Sequence, residues 1–184
     1  ELFDFPGPAF VARGRKLLED FLREDYPDAA VELQYFLDRF PQKTPDQQEL
    51  FTRTFDVQAM TTLDIGYVLF GDDYKRAELL SNLSREQKLA GNDCGIELAD
   101  NLPNILRLMP RLADSELVEE LVGEILLPAL MLMIREFDPE RIGKRNQNYE
   151  THFKALIESA PGSCQTIYGL PLQDLQTMHG TIAK

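Results

Sequence analysis

The chain has 184 residues, with 19 Lys plus Arg against 31 Asp plus Glu, for a formal net charge of −12. That length fits a single domain, and folding at this size removes about 70% of the unfolded chain's accessible surface, so a core needs no disulfide or metal. With 43% hydrophobic and 27% charged residues the chain is globular rather than disordered; its acidic balance argues against nucleic acid and anionic membranes, which favour a basic face, and permits a basic partner.

Helical spacing recurs along the chain, and strand-type alternation does not. Leu18, Phe21 and Leu22 form one stripe of a first helix, with Pro8 in its first turn and Tyr26-Pro27 ending it. Asp28 is placed to cap a second helix, in which Leu33, Phe36, Leu37 and Phe40 share a face and Pro41 is the stop. Thr44-Pro45 reads as a cap followed by proline at the first helical position of a third helix, carrying Leu50, Phe51 and Phe55. Thr61 or Thr62 caps a short apolar helix to Phe70, and Gly71 ends it. Asp72 starts a longer helix through Leu79, Leu80 and Leu83 to Gly91, and Asn92-Asp93-Cys94-Gly95 is turn chemistry.

A helix with Leu102, Ile105, Leu106 and Met109 follows. Asp114 or Ser115 caps the next, whose stripe is Leu117, Val118, Leu121, Val122 and Ile125. Pro128 falls inside that pattern, where it lacks an N–H and crowds the carbonyl of Glu124, so a kink is expected there. Asp138-Pro139 marks the end, and a last clear helix is expected over about residues 149–159, with Phe153, Leu156 and Ile157 inward. The periodicity fades after Pro161-Gly162, so residues 162–184 read as a loosely docked arm. The expected fold is therefore all-α, a single-domain bundle of seven or eight helices over residues 1–184.

The chain shows little sign of catalytic chemistry. Gly66 and Gly71 precede Asp72-Asp73 where a phosphate loop needs Lys and Ser or Thr. Cys94, His152, Cys164 and His179 are scattered, without metal-ligand spacing, and no metal or cofactor is expected. Two thiols in a reducing compartment are expected rather than a disulfide. The adjacent acids Asp72-Asp73 and Glu119-Glu120 point different ways on a helix and form no acid–base dyad. Met131 and Met133 read as core filling. The most apolar run, Ile125 to Ile134, is too short to span a membrane, and no secretory leader pattern opens the chain.

One segment carries more. Residues 61–103 read TTLDIGYVLFGDDYKRAELLSNLSREQKLAGNDCGIELADNLP, about a quarter of the chain. The block combines Thr61-Thr62-Leu63, the aromatics Tyr67 and Phe70, Gly71-Asp72 before Lys75-Arg76, and the acidic run Glu97-Leu98-Ala99-Asp100-Asn101-Leu102-Pro103. In order and spacing it resembles the nitrate reductase delta-subunit (NarJ) group of molybdoenzyme assembly chaperones, within the TorD-like superfamily. Two positions depart from the group's pattern: Ala99 stands where it has a first Pro, and Asn101 where it has His. The Asn amide still donates and accepts hydrogen bonds but does not titrate near neutral pH.

The resemblance implies a TorD-like helical fold and a cytoplasmic protein with no active site. Such a protein binds the apo form of a respiratory enzyme's catalytic molybdenum subunit at its N-terminal, twin-arginine leader-like segment. It holds that subunit for cofactor insertion before membrane targeting. A basic, apolar peptide of this kind fits a groove that is apolar at its base and acidic at its rim. The residues carried over to such a groove are Glu97, Asp100, Asn101, Pro103, Tyr67, Phe70, Asp72 and Arg76. Each also has a structural reading: Asp100 or Asn101 as a helix cap, Asp72 as the cap of its own helix, Tyr67 and Phe70 as core aromatics, and Arg76 paired with Asp72 or Asp73. The competing classes are a general acidic interaction or regulatory protein without a molybdoenzyme client, and a helical enzyme using His152. A monomer and a helix-swapped homodimer both fit the pattern.

Overall fold

A computed structural model describes residues 2–57, 59–153 and 166–182. Its fold is all-α: among the described residues there are nine helices and no strand, only one isolated antiparallel bridge between Asp64 and Asn101. The chain divides into two compact units, residues 1–61 with 134–175, and residues 62–133 with 176–184.

The first unit begins with α1 (10–25), whose middle turn, Leu18–Leu22, is π-helical. That wider turn advances each residue by a smaller angle. Leu18 and Leu22 therefore stay buried while Phe21, expected on the same stripe, is turned outward, its ring tilted against that of Tyr26 at 5.7 Å. Helix α2 (Pro27–Arg39) starts at Pro27, so Asp28 lies in its first turn rather than capping it. Its Leu33, Phe36 and Leu37 are buried as the spacing predicts, and so is Phe40 at its end. Helix α3 (Thr44–Phe55) likewise starts at Thr44 with Lys43 before it, and buries Leu50, Phe51 and Phe55.

The last helices depart furthest from the pattern. Helix α8 (Pro139–Phe153) starts at once after Asp138, whose carboxylate accepts from the amides of Glu140 and Arg141. It begins ten residues before the expected last helix, because Asp138-Pro139 is a start signal as well as a stop. Leu156 and Ile157 lie outside the described residues. A ninth helix, α9 (Gly169–Ile182), occupies the stretch expected to be a loose arm. Tyr168 just before it is fully buried, with its ring 5.0–6.0 Å from those of Phe36, Phe40, Phe51 and Phe55. Tyr168 and Leu172 anchor the first turns of this helix in the first unit, although its sequence lacks a clear stripe; from residue 176 on it is grouped with the second unit.

The second unit holds α4 (Ile65–Phe70), α5 (Tyr74–Leu89), α6 (Leu102–Leu108) and α7 (115–135), the last of which runs on past Met133. Helix α4 ends at Gly71, whose φ of +58° is a backbone state that side-chain-bearing residues rarely adopt. Asp114 caps α7 by accepting from the amides of Glu116 and Leu117. In place of the kink expected at Pro128, the helix carries a π-turn over Leu121–Leu126, ending two residues before the ring, and continues as regular α-helix from Leu127 to Arg135. Ile105, Leu108, Leu126, Leu130 and Met133 are fully buried in this core. No helix among the described residues is long and apolar enough to cross a membrane.

Candidate functional site

Of the eight residues singled out in the sequence, four meet in one polar network at the base of α4 and α5. The bridge between Asp64 and Asn101 sets it up: the amide of Ile65 donates to the Asp100 carbonyl at 3.0 Å, and the amide of Leu102 to the Leu63 carbonyl at 2.7 Å. Arg76 reaches back from α5 and donates through Nε to Asp100 Oδ2 at 3.0 Å and through Nη2 to Asp64 Oδ2 at 3.0 Å. The Asn101 amide donates to Asp64 Oδ1 at 3.2 Å, and the Tyr67 ring lies 5.2 Å from the guanidinium. Asp64 is the member that the motif reading did not include.

Asp100 is fully buried, and its Oδ1 has no hydrogen-bond partner among the described residues. Burial pushes its carboxyl above the usual range; the hydrogen bond from Arg76 opposes this, and the charge of Asp64 adds to it. Burial works against the Arg76 charge, but its two carboxylates outweigh that and hold it more firmly protonated. Gly66 makes room for the pair, since a Cβ there would stand 2.5 Å from Asp100 Oδ2. Three buried amides hold the loop that delivers Asp100. Gln87 donates to the Ala99 carbonyl at 3.2 Å, and Asn92 to Gln87 and the Asn104 carbonyl. Asn104 donates to the Leu98 carbonyl at 3.0 Å.

This geometry corrects several residue roles. Asp100 and Asn101 cap no helix through their side chains, because both are committed to the network. Arg76 pairs with Asp64 and Asp100, not with Asp72 or Asp73, since its side chain folds back toward α4. Asp73, not Asp72, caps α5 by accepting from the Lys75 amide at 2.9 Å. Pro103 is buried in the first turn of α6, and Phe70 is half-buried at the end of α4. Glu97, Asp72 and Tyr67 are exposed.

A cleft in this unit lies elsewhere, about 390 Å³ in volume, between α5 and α7 and floored by α6. Leu79 and Leu83 line it from α5, Leu117, Leu121 and Ile125 from α7, and Leu108 and Leu112 close the base. Glu86, Glu120 and Glu124 stand around it with Asn82 and Arg85, and Arg85 is already paired with Glu86 at 3.1 Å. Each helix supplies one apolar stripe with a glutamate three residues on: Leu83 then Glu86, Leu117 then Glu120, and Leu121 then Glu124. The signal was present in the sequence, but a leucine stripe reads equally as core.

Among the described residues no group of His, Cys, Asp and Glu is arranged to hold a metal ion. Cys94 is a free, part-buried thiol whose pKa is raised by burial and by Asp93. Cys164 and the side chains of His152 and His179 lie outside what is described. No protein-family model, curated protein or solved structure matches the chain.

Proposed function

We propose that the chain is a cytoplasmic maturation chaperone for a respiratory molybdoenzyme. It binds the leader-like N-terminal segment of the apo catalytic subunit and holds it for cofactor insertion before membrane targeting. The observation that carries this reading is the cleft between α5 and α7, apolar at its floor and acidic at its rim. A basic amphipathic helix laid along it would bury its leucine-type residues and set its arginines beside Glu86, Glu120 and Glu124. The resemblance of residues 61–103 supplies the class of client. That block also supplies one wall of the cleft, through Leu79, Leu83 and Glu86.

In this reading the block has two tasks. Arg76, Asp64, Asp100 and Asn101 hold the fold of the second unit, and the outward residues of α5 meet the client. The test is calorimetric titration with a synthetic peptide from the N-terminus of a molybdoenzyme catalytic subunit. Glu120→Gln with Glu124→Gln should weaken binding about tenfold while leaving the melting temperature within a degree or two. Unchanged affinity in that double variant would rule out the cleft as the binding site. Absence of binding by the unaltered chain to all such peptides would overturn the chaperone reading.

A further inference from the structure

The charge around the α5–α7 cleft is one-sided. On the α7 wall, Glu120 and Glu124 are exposed, and neither has an ion-pair partner among the described residues. Glu116 and Glu119 precede them on the same helix, which carries no cation before Arg135. The α5 wall differs. Its polar residues at the cleft are Asn82, which is neutral, and Arg85 with Glu86, which neutralise each other at 3.1 Å. Along the whole of α5, four cations stand against two glutamates.

The spacing on the acidic wall comes from the π-turn over Leu121–Leu126, in which the Leu127 amide donates to the Val122 carbonyl. An α-turn takes about 3.6 residues, so positions four apart drift sideways along it. A π-turn takes more residues, which brings Glu120 and Glu124 closer to one line along the helix, a turn apart. Leu121 and Ile125, each one residue further on, form the apolar strip beside them. Resting on the reading that this cleft takes an amphipathic helix, we infer that its partner carries two cations one turn apart on a single flank, with neutral or acidic residues on the other. The two cations lie against Glu120 and Glu124; a cation on the opposite flank meets Arg85 instead. A helix can enter an open cleft in either direction, so the flank that bears the cations also fixes which way the partner's chain runs.

Two synthetic helical peptides of equal composition test this by calorimetric titration against the full chain at 0.02 M salt. Both carry the same leucine stripe and two arginines. In the first the arginines stand four residues apart on one flank, and in the second there is one on each flank. The first should bind about threefold more tightly. Glu120→Gln with Glu124→Gln should abolish that preference by weakening the first peptide more than the second. Arg85→Gln with Glu86→Gln, which removes no net charge, should leave the affinity for the first peptide within about twofold. Equal affinity of the unaltered chain for the two peptides would overturn the inference and leave the cleft as a helix-binding site. A preference that survives in the Glu120→Gln, Glu124→Gln variant would overturn it as well, as would an equal loss in the Arg85→Gln, Glu86→Gln variant. Binding of neither peptide would overturn both this inference and the helix-binding reading of the cleft.

Discussion

Arg76 shows how one side chain decides whether a local structure holds. It is bonded to two carboxylates, one of them fully out of water, so within the group of Asp64, Asp100 and Arg76 one cation serves two acids. A buried ion pair adds little over an apolar pair of the same shape, but removing one partner strands the other. Arg76→Met should therefore lower the unfolding free energy by about 3 kcal/mol at pH 7, read by urea denaturation. Without the cation, the Asp100 carboxyl rises further above its unfolded value, so the folded state takes up the extra proton more readily. The loss should then shrink as the pH falls toward 5, a range over which the loss from an ordinary exposed ion pair, whose carboxylate titrates at about 4, would stay flat. The sequence made Arg76 and Asp100 visible through the motif block. It did not pair them, because Asp64 and Asp100 are 36 positions apart and meet only through the bridge between Asp64 and Asn101.

Helix starts show a consistent error of one or two positions. Asp28, Thr44 and Asp72 each lie beside a real helix start, but the chain turns at Pro27, after Lys43 and at Asp73. Capping signals come in runs here, and the sequence does not say which member takes the extended backbone that aims its carboxylate at the helix amides. At α5 the distinction is measurable. Asp73→Ala should cost about 1 kcal/mol of stability, whereas Asp72→Ala should stay within about 0.5 kcal/mol, each read from a denaturant midpoint. Helix interiors were more readable than their ends. The buried faces of α2 and α3 follow from their spacing, while Phe21 does not, because a π-turn changes the angular step. Helix α9 had no readable face, since what anchors its start is Tyr168, just before it, with Leu172, packed on partners distant in sequence.

The net charge of −12 takes on meaning through placement. Two of the acids, Asp64 and Asp100, are spent on Arg76 inside the fold and offer nothing to a partner. Asp72, Asp93 and Glu97 are exposed but line no part of the cleft, while Glu86, Glu120 and Glu124 surround its apolar floor. The candidate site was thus half visible from the start: its chemistry followed from the acidic balance and the resemblance, but its location needed α5 and α7 to be seen side by side. Charge in general would steer a basic peptide from a distance, whereas charge at the rim would also hold it once bound.

These two contributions separate with salt. At 0.15 M the screening length is about 8 Å, so exposed acids beyond the rim lose most of their influence. Neutralising Asp72, Asp93 and Glu97 together should slow association of a basic peptide at low salt and change little at 0.15 M. Neutralising Glu86, Glu120 and Glu124 should weaken binding at both, and should flatten the fall of the association rate with added salt. Stopped-flow rates of a fluorescent peptide at 0.02 M and 0.15 M salt give both readings. If the two triple variants behave alike, the acidity of the rim is only part of the general charge, and the apolar floor alone would have to supply whatever selectivity the cleft has.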